Sequence, residues 1–154
     1  MFLEFPPFWV AVINILGVPL VHLGSSWFMT RLPVRLFDHP LPILERFPGE
    51  SRQLYERTFA IKKWKDSLPD AGAWFGGMAK KQLSRTTVPH LSRFRAETRR
   101  SELAHWLQFL LLCGFMIWTP GPWTLIWPLY AFLSNITCIL LQRYNRLRLS
   151  KVLS

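Results

Sequence analysis

Residues Leu103–Gln142 read LAHWLQFLLLCGFMIWTPGPWTLIWPLYAFLSNITCILLQ. Apart from tyrosine and cysteine, this forty-residue stretch holds one ionisable side chain, His105. Thr119-Pro120-Gly121-Pro122 divides it, and Pro and Gly together punctuate a chain strongly. A transmembrane helix needs about 17–25 predominantly apolar residues. The stretch therefore predicts a helical hairpin with spans near 102–118 and 123–142. Trp118, Trp123 and Trp127 flank the turn, as an aromatic belt does at a membrane surface.

Working outward, Phe5–Met29 is a second run without a formal charge, 25 residues long. At about 1.5 Å per residue it crosses a hydrocarbon core of about 30 Å with some tilt, which predicts a span near 5–29. Pro6 and Pro7 suit a helix start, and Pro19 is expected to kink the middle. A cleaved signal peptide is the rival reading and wants a basic start. Here the start carries Glu4 and no Lys or Arg, which favours a retained span. Charge then orients the chain. Residues 30–101 hold 15 Lys/Arg, the tail 143–154 holds the other 4, and the N-terminus and the TPGP turn hold none. The positive-inside rule puts the central region and the tail in the cytoplasm and the N-terminus outside.

Composition agrees. Of 154 residues, 50% are hydrophobic and 18% charged, with a net charge of +10. That much apolar surface excludes a disordered chain. Cys113 and Cys138 lie inside apolar runs, so neither a disulfide scaffold nor a zinc site is suggested. Topology accounts for the basic residues, which argues against nucleic acid and for an anionic membrane surface. Between the first and second spans, Arg52–Leu68 has Leu54, Ile61 and Leu68 at heptad spacing, with Phe59 and Trp64 beside them. That pattern predicts a basic amphipathic helix at the interface. Ala71–Gly77 reads as a loop dipping into the interface, and residues 91–102 as a helix running into the second span. The expected fold is an all-α membrane protein: one domain of about three transmembrane helices plus a basic amphipathic interfacial segment.

Three clusters carry chemistry. In the first, Glu102 and His105 are three residues apart and share a helix face. His105 lies about one turn inside the apolar run, where ionisable side chains are costly and usually face a partner or cavity. A carboxylate beside an imidazole can fix its tautomer and raise its basicity, which suits a general base. The alternatives are an interfacial His capped by water or by Glu102, and a metal ligand. Glu-x-x-His is half of a di-metal motif, but the second half is missing. The second cluster, Gln142-Arg143-Tyr144-Asn145-Arg146-Leu147-Arg148, either anchors the third span or binds phosphate through its guanidinium forks. The hairpin brings it beside Glu102 and His105. Asn135, about two turns inside the third span, either bonds across helices or lines a pocket, and Asn14 and His22 admit the same two readings. The third cluster runs from Lys62 through Trp64, Lys65 and Asp66 to Asp70. It either ends a helix at Pro69 or orients a substrate. No Gly-x-Ser-x-Gly elbow, His-x4-Asp signature, Walker loop or Gly-x-Gly-x-x-Gly occurs.

In this order the clusters resemble the glycosyl-4,4'-diaponeurosporenoate acyltransferase family of small bacterial membrane proteins. The matching elements are Lys63-Trp64-Lys65-Asp66 with Leu68-Pro69-Asp70, then Glu97-Thr98-x-Arg100-x-Glu102-Leu103-x-His105-Trp106. Asn135 and Gln142-Arg143-Tyr144-Asn145-Arg146-x-Arg148-Leu149 follow. They cover about a quarter of the chain, and Leu147 stands where the family's run is expected to have Pro. The named activity is the last step of staphyloxanthin synthesis, in which a fatty acyl group is esterified to the glucose C6 hydroxyl of a glycosylated carotenoid acid. The resemblance implies an O-acyltransferase acting on a lipid-linked hydroxyl in the bacterial cytoplasmic membrane.

The roles expected on that basis are these. His105, oriented by Glu102 or Glu97, removes the acceptor proton. Arg99, Arg100, Arg143 and Arg146 attract the phosphates of an acyl-CoA or acyl-carrier-protein co-substrate, and no resident cofactor or metal is called for. Asn135, Tyr144 or Asn145 donates to the oxyanion. Gln142, Trp64, Lys65, Asp66 and Asp70 complete the substrate-binding set. Membrane lipids and a lipid-linked glycoside are the expected partners, and the wide apolar surface suits a homo-oligomer. The alternative is a non-catalytic membrane subunit that binds anionic lipid or a partner enzyme.

Overall fold

The computed structural model describes residues 3–44, 46–68, 74–76, 78 and 87–153, with side chains up to residue 150. The Asp70 assignment and most of the loop expected at Ala71–Gly77 lie outside the described residues. Every regular element among them is helical.

Pro6 caps and Pro7 begins helix α1 (Pro7–Arg31), which runs through Pro19 without ending. Two short 3-10 turns follow, Val34–Phe37 and Pro42–Leu44. Helices α2 (Arg52–Arg57) and α3 (Ile61–Trp64) are each a turn or so long. Helix α4 (Val88–Cys113) is continuous from the basic region into the apolar run and tightens into a 3-10 turn, Gly114–Ile117. The TPGP turn reverses the chain, with Gly121 at φ +58°, a left-handed conformation that glycine adopts without steric cost. A further 3-10 turn, Gly121–Leu125, leads into α5 (Ile126–Leu153). The tail expected after residue 142 is thus the second half of one unbroken helix.

Helices α4 and α5 form an antiparallel hairpin, and α1 packs on α4. Among the described residues, two helical segments are long and apolar enough to cross a membrane, Pro7–Arg31 and Gly121–Ser150. The second expected span, 102–118, shares its helix with the buried Glu97, Arg99, Arg100 and Glu102. The apolar stripe is inverted relative to a water-soluble bundle. Phe8, Ile15, Leu16, Leu20, Leu110, Leu129, Phe132 and Leu133 face outward, while Ser25, Gln108, Thr119 and Asn135 are buried. Polar groups inside and apolar groups outside fit a protein whose solvent is lipid.

The basic segment departs from expectation. It is two short helices and not one, because Ala60 takes a left-handed φ of +48° between them. Ser51 caps α2, accepting from the Leu54 amide at 3.2 Å. Tyr55 and Ile61 are buried against Leu141 and Tyr144 of α5, with Trp64 and Leu68 at the edge. The apolar face that periodicity assigned to the membrane surface is spent on α5.

Candidate active site

Helices α4 and α5 run antiparallel, so residues beyond Gln142 lie level with the start of the apolar run on α4. Glu102 is 0% exposed. Its carboxylate accepts from Arg143 Nε at 2.8 Å, from Arg146 Nη2, and from Trp106 Nε1 at 3.4 Å. Arg143 also pairs with Glu50 Oε1 at 3.5 Å and donates to the Ile43 carbonyl. Tyr55 donates to Glu50 Oε1 at 2.5 Å. Burial, then the bond to Glu50, pushes the Tyr55 phenol well above its ordinary range, so it stays a donor. These two carboxylates with Arg143, Arg146 and Tyr55 tie α4, α5, α2 and the loop before α2 together.

The Glu102 carboxylate, expected to orient His105, is held by two arginines. Glu97 is buried and paired with Arg100 at 2.8 Å. Arg100 in turn donates to the carbonyls of Thr30 and Leu32, satisfying acceptors that the end of α1 leaves over. It braces α1 against α4, away from the donor-binding role expected for it. Arg99 donates to the carbonyls of Phe37 and Asp38.

His105 is held by amides instead. Its Nδ1 lies 3.0 Å from Asn135 Oδ1 and 3.1 Å from Gln108 Oε1. Both amides are fixed by their other ends. Asn135 Nδ2 donates to the Ala131 carbonyl at 2.9 Å, and Gln108 Nε2 donates to the His22 carbonyl and Ser26 Oγ at 3.2 Å each. Two carbonyl oxygens at Nδ1 require the proton there, which leaves the lone pair on Nε2. Gln108 Oε1 also lies 3.3 Å from His22 Nδ1, and His22 Nε2 lies 3.1 Å from the Tyr130 hydroxyl. One polar chain, Tyr130–His22–Gln108–His105–Asn135, thus joins α5, α1 and α4, from an exposed end at Tyr130 to the buried Asn135.

The remaining expected residues separate. Tyr144 is buried and donates to Glu56 Oε1 at 2.8 Å, on the α2 side. Trp64 packs at the edge of that same cluster and donates to the Phe59 carbonyl. Lys65 pairs with its neighbour Asp66 at 2.6 Å. Gln142, Asn145 and Arg146 share a helix face. Gln142 Oε1, Asn145 Nδ2 and Arg146 Nη1 are buried without a hydrogen-bond partner among the described residues. Buried polar atoms left unpaired are costly and mark sites where something else binds. Beside Arg146 is a cavity of about 240 Å³ between α4, α5 and the residues Leu44, Arg46 and Glu50. Arg46, Arg95, Arg99, Arg143, Arg146 and Glu50 are among its lining.

Comparison with known proteins agrees with the motifs. The glycosyl-4,4'-diaponeurosporenoate acyltransferase family model matches residues 25–154. The chain belongs to this family of acyltransferases. Proteins of that name from Staphylococcus aureus strains MRSA252, USA300 and NCTC 8325 are each 28% identical to it over 138 residues. The matches span 87% of this chain and 82% of theirs. No solved structure matches it significantly.

Three residues of this candidate site escape a reading of the sequence. Gln108 had a signal, since it lies three residues after His105 on the same face and amides in apolar runs seek partners. Tyr130 passes for an interfacial aromatic. Glu50, in a Pro48-Gly49-Glu50 turn, becomes notable only once Tyr55 and Arg143 are seen to converge on it.

Proposed function

We propose that the protein is a membrane O-acyltransferase. It moves a fatty acyl group from a thioester donor to a hydroxyl of a lipid-linked sugar, such as a glycosylated carotenoid acid. The observation that carries this reading is the pair of amide oxygens at His105 Nδ1. They fix the tautomer whose Nε2 accepts a proton, and a positioned base contributes about 10²–10⁴-fold. Nε2 takes the proton of the acceptor hydroxyl as its oxygen bonds to the thioester carbonyl carbon. The tetrahedral oxyanion collapses, the C–S bond breaks, and the leaving sulfur recovers the proton from the imidazolium. No acyl-enzyme is needed. Charge developing on His105 is met by the two amide dipoles.

In this reading the chain crosses three times, through α1, the apolar end of α4 with its 3-10 turn, and the first half of α5; the two long apolar segments, Pro7–Arg31 and Gly121–Ser150, support it. With the basic residues in the cytoplasm, the arginine cluster meets a soluble donor while the acyl chains stay among the helices and the lipid. Comparative lipidomics of cells expressing wild type and His105→Ala at equal membrane levels tests this. A lipid class that gains one acyl group only with wild type is expected. Equal acylation by His105→Ala overturns the base assignment.

A further inference from the structure

The arginine-lined cavity holds more positive charge than the described carboxylates account for. Glu50 is bound to Tyr55 and Arg143, and Glu102 to Arg143 and Arg146. Among the described residues Arg95 lines the cavity with no carboxylate partner, and Arg46, also lining it, donates to the Glu50 backbone carbonyl. Arg146 keeps a buried Nη1 without an acceptor. Guanidinium forks match phosphate oxygens in pairs. At about 240 Å³, the cavity is below the roughly 300–1,000 Å³ of whole-ligand sites, so it fits an anionic head and not an acyl chain or a carotenoid.

Position adds a second constraint. Arg99 and Arg95 precede His105 on α4 by six and ten residues. At 1.5 Å per residue they lie about 9 and about 15 Å from it along the axis. A ligand seated on these arginines reaches His105 only if its reactive group is carried on a long arm. A phospholipid diester or a carrier protein's phosphopantetheine brings one phosphate charge, whereas a nucleotide thioester brings several.

We propose that this cavity is the phosphate subsite for a coenzyme A-type acyl donor, with Arg46, Arg95 and Arg146 as the forks that hold its phosphates. The proposal deepens the acyl-transfer reading, rests on it, and selects the donor class.

Calorimetry with purified full-length protein in neutral detergent tests it, with coenzyme A as probe. Coenzyme A is expected to bind, pyrophosphate to displace it, and phosphate-free pantetheine to fail to displace it. Arg95→Gln should weaken binding by about tenfold or more, as for loss of a charged hydrogen bond, and Arg95→Lys by less. Arg93→Gln removes an equal charge from an exposed position two residues away and should leave binding unchanged. Displacement by pantetheine, unchanged affinity in a folded Arg95→Gln, or binding abolished in phosphatidylglycerol nanodiscs but kept in neutral ones would each overturn it. The competition series uses wild type alone, so a poorly folding variant does not decide the matter. Failure of the two readings is distinguishable. Acyl transfer from a carrier protein with no coenzyme A binding sinks the subsite and keeps the acyltransferase. Arg95-dependent binding with no acyl transfer to any glycolipid does the reverse.

Discussion

Asn135 turns its carbonyl oxygen to His105 at 3.0 Å while its own amide nitrogen is pinned to the Ala131 carbonyl one turn back on α5. The amide cannot flip without losing that bond, so the orientation of the imidazole is built into the backbone of the neighbouring helix. Asn135→Leu keeps a similar volume and removes the acceptor. It is expected to lower kcat by about tenfold, the worth of one hydrogen bond, with KM little changed. In a His105→Ala background the same substitution should cost nothing further, because residues that act as a unit are not additive. An additive loss would show that Asn135 acts on substrate directly.

Gln108 serves two histidine rings and two acceptors at once: His105 and His22 at its oxygen, Ser26 Oγ and the His22 carbonyl at its nitrogen. It is the polar link between α1 and α4. Interhelical hydrogen bonds in membranes are worth about 0.6 kcal/mol on average and at most about 1.7. Gln108→Leu is expected to lose about 1–2 kcal/mol over its several bonds, read as a lower Tm in detergent, and activity with it. Tyr130→Phe removes only the outermost contact to His22 and should lower Tm far less. Equal losses would mean that the chain is not hierarchical.

Glu102 and His105 sit together in the sequence and work apart in the structure. The carboxylate, itself fully buried, compensates the partly buried Arg143 and Arg146. Removing one partner of a buried ion pair costs about 3–5 kcal/mol because it strands the other charge. Glu102→Ala is expected to fail to accumulate in the membrane, whereas His105→Ala accumulates and is inactive. A Glu102→Ala protein that accumulates normally and loses only turnover would return the carboxylate to the chemistry.

These cases mark what was legible beforehand. The uncharged runs and the TPGP turn gave the hairpin, and the hairpin alone put Arg143 beside Glu102, where the two meet at 2.8 Å. Amphipathic period failed elsewhere for a physical reason. Outer and inner faces of these helices are both rich in apolar groups, so the polar interior shows as isolated residues such as Gln108 and not as a stripe. The interfacial helix failed on one dihedral. Ala60 carries no sequence mark of a left-handed residue, and its turn sends Ile61 back onto Leu141 and Tyr144.

Glu56 on α2 holds this outer layer to α5. Lys62 at 2.9 Å, Arg52 at 2.6 Å and Tyr144 at 2.8 Å converge on it. The bond from Lys62, then those from Arg52 and Tyr144, lowers its carboxyl to about 2. A carboxylate with a depressed folded pKa contributes stability above its unfolded value, about 4.3 for Glu, and loses it as pH falls towards the folded one. The Tm gap between wild type and Glu56→Gln should be open at pH 6 and close as pH falls from about 4.3 to about 2. Arg52 and Lys62 are solvent-exposed, so high salt should narrow the gap at pH 6 too. A gap independent of pH would assign the effect to shape and not to charge.

Gly17 sets how closely α1 approaches the hairpin. A Cβ built there would lie 2.7 Å from Phe115 Cζ. That ring has little room to retreat, being buried between Trp118 and Trp127 with centroids 4.9 and 4.7 Å away. Small residues at helix contacts let backbones approach in a membrane, and here the approach carries His22 to Gln108 further along α1. Overpacking costs about 1–3 kcal/mol, so Gly17→Ala should lower Tm and activity together although it touches no polar residue. Phe115→Leu shortens the ring side of the contact and should restore part of both in the double variant. No recovery in the double variant would place the constraint at Gly17 in the conformation of α1 itself.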